Sequence, residues 1–73
     1  MYVYKVVQLW NGRFWSPHYP RGQRSVHACM MWGHAASTEK IRRDVDALSK
    51  QHGVATPSTF YVKTVHAEIV ETD

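Results

Sequence analysis

The chain has 73 residues, a formal net charge of +3, 44% hydrophobic residues and 21% charged residues. Its length predicts one small domain over residues 1–73 and leaves no room for the closed cleft of a large multi-substrate enzyme. The ordinary balance of apolar and charged residues excludes a disordered tail. A single cysteine excludes an internal disulfide framework, and no apolar run is long enough for a membrane span, so we expect a cytoplasmic protein.

Positive charge and aromatic rings are both concentrated in the first half of the sequence. Residues 1–36 carry four basic and no acidic residues, a charge of +4, whereas residues 37–73 carry five basic and six acidic residues, a charge of −1. Seven of the nine aromatic residues precede Gly33. Basic and aromatic side chains together favour an acidic partner, either nucleic acid or an acidic protein surface.

The first predicted element is a β-hairpin centred on Asn11 and Gly12. Residues 2–10 are rich in β-branched and aromatic residues and predict a strand. Asn-Gly is typical of a two-residue type I′ turn, which would place Leu9 opposite Phe14. Alternation then predicts a core face that carries Val3, Val7, Leu9 and Phe14. The opposite, more polar face is predicted to carry Tyr2, Tyr4, Val6, Trp10, Arg13 and Trp15.

Two less regular segments follow the hairpin. Residues 16–24 contain Pro17, Pro20 and Gly22, which predict a loop. Residues 26–32 alternate as a strand would, yet the run Ala-Cys-Met-Met also suits a helix. Periodicity leaves both structures open for so short a segment, and we favour the strand.

A helix is predicted from about residue 38 to residue 52. Ser37 or Thr38 offers an N-cap, Glu39 lies in the first turn, and Gly53 supplies the residue that ends the helix. One helical stripe consists of Ile41, Val45, Leu48 and His52, and the first three are expected to pack on the sheet. Ion pairs are expected on the exposed sides, between Lys40 and Asp44 and between Arg42 and Asp46.

The order of elements predicts an α+β fold. Residues 59–70 are strand-like and close the series that begins with the hairpin. The economical arrangement is a small antiparallel sheet of three to four strands with one α-helix packed on one face.

No pattern in the sequence indicates catalysis or a metal centre. The closest grouping of metal-ligating residue types is His27, Cys29 and His34, which lacks the paired spacing of zinc sites. The serines lack a nucleophile motif, and no glycine-rich phosphate loop is present. We therefore expect no enzymatic activity, no cofactor and no bound metal.

The residues best suited to partner binding lie in the hairpin and the segment after it. Arginine among aromatic rings can bind carboxylates or phosphates, and tryptophan, tyrosine and arginine predominate at interface hot spots. The predicted partner-binding residues are Trp10, Arg13, Trp15, His18, Tyr19, Arg21 and Arg24. Arg42 and Arg43 are expected to contribute less, because acidic residues lie at helical spacing from them.

The layout of the chain resembles that of small bacteriophage host-takeover proteins. The matching features are the strand Tyr-Val-Tyr-Lys-Val-Val, the Asn-Gly hairpin, a single helix that opens at residues 37–40 and a closing strand at residues 60–65. In size and basic character the chain is similar to the kind of RNA polymerase-binding transcription regulator found in a Xanthomonas phage.

That resemblance implies a protein that binds host bacterial RNA polymerase. It would inhibit transcription initiation by hindering the σ factor and suppress termination near the RNA exit channel. We expect a monomer in the host cytoplasm, with an acidic or mixed protein surface as its partner. The alternatives are a direct RNA- or DNA-binding module that uses an aromatic sheet face, although the RNP1 motif is absent, and an anti-CRISPR type of inhibitor.

Overall fold

The computed structural model describes residues 2–67, which form a five-stranded antiparallel sheet and one α-helix. The strands are β1 (Tyr2–Leu9), β2 (Phe14–Ser16), β3 (Tyr19–Gln23), β4 (Met31–Gly33) and β5 (Phe60–Ala67), and the helix α1 is Thr38–His52. The predicted α+β class is confirmed, with five strands where three to four were expected. Within residues 2–67 no helix has the length and apolar character needed to cross a membrane.

β1 is the central strand of the sheet. β5 pairs with it along its whole length, from Tyr2 opposite Ala67 to Leu9 opposite Phe60. Residues 4–6 of β1 also pair with β4, and Gln8 also pairs with Phe14 of β2. Because a strand has only two hydrogen-bonding edges, β2 and β4 share the edge opposite β5. β3 pairs with β2 and forms the rim of the sheet on that side.

The hairpin between β1 and β2 has a three-residue loop, so the predicted type I′ turn is wrong. The amide of Gly12 donates to the carbonyl of Leu9 at 2.9 Å, and the amide of Leu9 donates to the carbonyl of Arg13 at 2.8 Å. Gly12 has φ +83°, whereas no residue other than glycine has a positive φ in the described chain. A type I′ turn needs a positive φ at Asn11 as well, so the glycine alone forms a bulge after a type I turn.

This loop shifts the register of the hairpin by one residue. Gln8, rather than Leu9, lies opposite Phe14. A shift of one residue exchanges the two faces of a strand, so β2 is turned over relative to the prediction. Trp15 therefore points to the helix side and is fully buried, whereas Phe14 is only half-buried.

The two less regular segments also differ from the prediction. Tyr19–Gln23 forms β3 although Pro20 lies within it, because a strand at the rim of a sheet tolerates a missing N–H group. In the segment predicted to be one strand, Val26–Ala28 forms a single 3₁₀ turn. Only Met31–Gly33 pairs with β1 as a strand.

The helix begins and ends where the sequence predicts. The amide of Lys40 donates to the Ser37 hydroxyl at 3.1 Å, which identifies Ser37 as the N-cap. Gly53 adopts the left-handed conformation with φ +67° and ends the helix. The final strand is confirmed over residues 60–67, and the predicted residues 68–70 lie outside the described chain.

The main core lies between α1 and one face of the sheet. Its buried members are Val7, Leu9, Trp15, Trp32, Ile41, Val45 and Phe60. Leu48 packs against this cluster while partly buried. Val6 alternates with Val7 and points to the opposite face, yet it is also fully buried. Both faces of the middle of β1 are therefore covered.

Asp44 links the helix to β4. Its Oδ2 accepts hydrogen bonds from the Lys40 ammonium at 2.9 Å and from the Trp32 indole N–H at 3.0 Å. These two donors hold the pKa of Asp44 below its usual range. The predicted pair of Lys40 and Asp44 is confirmed.

The predicted pair of Arg42 and Asp46 is wrong. Asp46 instead accepts from Lys50, with the ammonium nitrogen 3.0 Å from its carboxylate oxygen. The Arg42 guanidinium lies 4.7 Å from the centre of the Phe60 ring. A guanidinium stacks readily on an aromatic face, and this contact takes Arg42 away from its helical neighbour.

Acid should destabilise the wild-type protein more steeply than the Asp44→Asn variant. Because the pKa of Asp44 is lowered in the folded state, its stabilising contribution is complete above its unfolded-state pKa of about 3.9. That contribution is lost as the pH falls through the lower folded-state pKa. Urea midpoints measured from about pH 7 to about pH 2 test the difference in slope.

The control for this prediction is Glu39→Gln. It removes an exposed carboxylate from the same helix, and within residues 2–67 that carboxylate accepts no side-chain hydrogen bond. If Asp44→Asn and Glu39→Gln change the pH dependence of the urea midpoint equally, the hydrogen bonds of Asp44 make no specific contribution to stability at acid pH.

Replacement by alanine should lower the stability of the protein at Ser37, the N-cap of α1, but not at Ser49 within α1. Ser37→Ala removes the N-cap, which should cost about 1 kcal/mol and lower the melting temperature by roughly 4–8 °C. Ser49 is fully buried, and its hydroxyl has no hydrogen-bond partner within the described chain. Ser49→Ala should therefore leave the melting temperature unchanged or raise it. Equal losses in the two variants, measured by calorimetry, would contradict both assignments.

Candidate functional site

A groove with a volume of about 630 Å³ lies between the tip of the hairpin and the loop that joins α1 to β5. We call it the Trp10 groove. It is lined by Leu9, Trp10, Asn11, Pro20, Arg21 and residues 54–59. Its volume falls in the range of about 300–1,000 Å³ that is typical of ligand sites.

Trp10 is the most exposed large apolar side chain of the groove. It is the first residue of the hairpin loop and is 78% exposed. The loop that carries it is held at both ends, because Asn11 Oδ1 accepts from the Arg13 amide at 3.0 Å and Gln8 Nε2 donates to the Gly12 carbonyl at 3.0 Å. The backbone that presents Trp10 is therefore pre-organised.

β3 is held against the hairpin on the same side of the groove. Asn11 Nδ2 donates to the Arg21 carbonyl at 3.4 Å. Gly22 allows the close approach, since a Cβ atom at that position would lie 2.5 Å from the Cβ of Arg13. Together these contacts place Arg21 beside the hairpin tip that carries Trp10.

Residues 54–59 form the opposite wall. The amide of Val54 donates to the Ser49 carbonyl at 2.9 Å, and the Thr56 hydroxyl donates to Asp46 at 3.2 Å. These two bonds anchor the wall to the last turns of α1. Within the described chain, residues 55–58 exchange no hydrogen bonds with other backbone groups, so their polar groups face solvent or a ligand.

The charge of the groove is positive. Arg21 is the only lining residue with a charged side chain. The carboxylate bonded to the wall is that of Asp46, which Lys50 neutralises at 3.0 Å. The Lys50 and Thr56 donors hold the pKa of Asp46 below its usual range, so it remains ionised and paired at neutral pH.

Two of the seven predicted partner-binding residues lie in the groove, one lies in the core, and four lie outside both. Trp10 and Arg21 line the groove. Trp15 belongs to the core, and its predicted place on an exposed face is wrong because of the register shift. Arg13 and Arg24 are exposed at the two ends of the β2–β3 segment, outside the groove lining.

His18 and Tyr19 lie at the turn between β2 and β3. The His18 ring makes an edge contact with His52 in the last turn of α1, with ring centres 5.0 Å apart. Tyr19 is 47% exposed. Neither lines the Trp10 groove.

The wall at residues 54–59 was not anticipated as part of a site. Its sequence, Val-Ala-Thr-Pro-Ser-Thr, is uncharged and contains Pro57 between a helix end and a strand. A short uncharged linker with proline is an ordinary connection between elements. Only its position against Trp10 shows that it lines the groove.

A second exposed feature lies on the sheet face away from α1. Tyr61 lies opposite Gln8 and Lys63 lies opposite Val6, so both point to the side that Val6 occupies. Tyr61 is 60% exposed, and Lys63 is exposed beside it. An exposed aromatic ring next to a cation is the local chemistry that can stack on a nucleic-acid base.

The closest sequence grouping of metal-ligating residue types, His27, Cys29 and His34, is not assembled into a metal site in the part of the chain described. No group of three or more His, Cys, Asp or Glu residues there could hold an ion. Cys29 Sγ donates to the Val26 carbonyl at 2.9 Å. Burial raises the pKa of the Cys29 thiol, which disfavours the thiolate that a metal needs.

Comparisons with protein-family models, with characterised proteins and with solved structures found no match to this chain. The groove and its side chains are therefore the basis for a binding role.

Gly22→Ala should destabilise the protein and loosen the groove. The added Cβ would lie 2.5 Å from Arg13 Cβ, and the φ of +91° is unfavourable for alanine, so we expect a loss of about 1–3 kcal/mol. Gly33→Ala is the matched control, because a Cβ there meets nothing within 4 Å. Melting temperatures measure both effects, and equal values for the two variants would show that β3 does not need this close approach.

Proposed function

We propose that this protein acts in the host cytoplasm as a regulator of bacterial RNA polymerase and binds the enzyme through the Trp10 groove. In this proposal binding inhibits transcription initiation and suppresses termination. The observation that supports a binding role is the unequal placement of the three tryptophans. Trp15 and Trp32 are 0% and 6% exposed, whereas Trp10 is 78% exposed at the edge of a groove.

The groove has the composition of a protein-binding site. Tryptophan and arginine are the side chains most enriched among interface hot spots, and here Trp10 and Arg21 line the same cavity. The hydrogen bonds that fix the hairpin tip reduce the conformational entropy lost on docking. A positive groove matches the acidic or mixed surface expected of the partner.

The choice of RNA polymerase as partner rests on the resemblance of the chain layout to phage host-takeover proteins. Of the features that carry this resemblance, the chain contains the first strand, the helix at Thr38–His52 and the closing strand at Phe60–Ala67.

Direct nucleic-acid binding is the second candidate, and Tyr61 with Lys63 is the observation that favours it. Such binding would depend strongly on salt, with a slope near 0.7–0.9 per neutralised phosphate. Docking carried by an aromatic anchor should tolerate salt better. The two candidates also use different side chains, which makes them separable by mutation.

Trp10→Ala should weaken binding to purified bacterial RNA polymerase at least about tenfold, equivalent to 1.4 kcal/mol. Tyr61→Ala is the matched control, because it also removes an exposed aromatic ring but from a position outside the groove lining. It should bind polymerase within about twofold of wild type. Both variants are first compared with wild type by melting temperature, and binding is measured by biolayer interferometry at two salt concentrations after nuclease treatment.

The same variants test the transcriptional consequence. Wild type and Tyr61→Ala should reduce promoter-dependent initiation and increase read-through of a terminator in a reconstituted assay, whereas Trp10→Ala should do neither. A larger loss in Tyr61→Ala than in Trp10→Ala would move the contact to the sheet face. No binding of the wild-type protein to polymerase would reject the proposed partner.

A further inference from the structure

We infer that the occupant of the Trp10 groove is an extended acidic peptide segment that places an apolar side chain against Trp10. The inference rests on the proposed function, because it names the chemistry of the partner at the same site. Three features of the groove support it: its size and apolar lining, the unpaired backbone of one wall, and its single positive charge.

A small ion would leave most of the groove empty. A water molecule takes up about 30 Å³ of liquid, whereas the groove holds about 630 Å³. Most of its lining is apolar and comes from Leu9, Trp10, Pro20, Val54 and Pro57. A ligand that fills this volume therefore carries hydrophobic groups and is larger than a single side chain.

In the described chain, the wall at residues 55–58 has unbonded main-chain donors that a peptide backbone can pair with. Ala55, Thr56 and Ser58 each offer an amide donor, and within the described chain none of these donors is bonded to another backbone group. Proteins recognise extended segments through such main-chain groups, with side-chain pockets alongside. A nucleic acid would be a poorer match, because its repeated phosphates need several cations and the lining supplies one.

The charge of the groove determines the sign of the peptide. Arg21 is the only charged lining residue, and Asp46 next to the wall is already paired with Lys50. A carboxylate on the peptide can form a charge-assisted hydrogen bond with a guanidinium, whereas a lysine at the same place would be repelled. The preferred segment is thus acidic and apolar.

The probe for this inference is a blocked octapeptide of alternating glutamate and leucine. It is titrated into the full 73-residue chain and followed through amide and indole chemical shifts in two-dimensional NMR spectra. We expect shifts at the Trp10 indole N–H and at the amides of Ala55, Thr56 and Ser58. The same peptide with glutamine in place of glutamate should bind about fivefold more weakly, and the lysine version more weakly still.

Two matched variants test the role of Arg21. Arg21→Gln should bind the glutamate and glutamine peptides equally. Arg43→Gln, which removes an exposed arginine of α1 outside the groove lining, should retain the preference for glutamate. Methylation of alternate backbone nitrogens in the glutamate peptide should weaken binding, because it removes the peptide N–H groups that can donate to the unpaired carbonyls of residues 55–58 in the described chain.

Equal binding of the lysine and glutamate peptides would overturn the inference. Equal binding of the methylated peptide would overturn its main-chain component, and an oligothymidine that shifts the same amides more strongly would assign the groove to nucleic acid. Polymerase binding that needs Trp10, without any peptide binding, would reject this inference and leave the proposed function standing. Peptide binding without polymerase binding would reject the polymerase and leave the inference standing.

Discussion

The conformation of Gly12 determines which tryptophan is inside the protein and which is outside. Its positive φ makes the hairpin loop three residues long, and Gln8 therefore lies opposite Phe14. With the other register Trp15 would leave the helix side of the sheet, and the core would lose its largest fully buried side chain. The same loop leaves Trp10 unpaired at the tip, so core and groove both depend on one turn.

The helix could be predicted from the sequence because its signals are local. Ser37 and Gly53 cap the helix through hydrogen bonds to residues in the adjacent turn. The apolar stripe of α1 can be recognised without knowing what it packs against. The hairpin register was mispredicted because Asn-Gly is compatible with more than one loop, and the choice depends on hydrogen bonds around Leu9 and Arg13. β3 was missed because Pro20 normally argues against a strand, and only its place at the rim makes it acceptable.

Only part of the candidate site could be predicted, because residue type can be read from the sequence and the position of a loop in space cannot. Trp10 and Arg21 could be recognised by residue type, since tryptophan and arginine favour interfaces wherever they are exposed. Residues 54–59 carry no such signal and enter the site only because the chain returns past the hairpin tip between α1 and β5. The contact of Arg42 with Phe60 could not be predicted from the sequence either, because it joins residues from different elements.

The burial of Val6 and Val7 on opposite faces has a consequence for the motions of the molecule. Neighbouring residues that are both inaccessible to solvent make the middle of β1 the part whose amides exchange only when the whole domain unfolds. Residues 55–58 form no backbone pairs within the described chain, so their amides exchange through local opening, without unfolding of the domain. The protein thus combines a wall that can adjust to a ligand by local opening with a central strand that such opening does not reach.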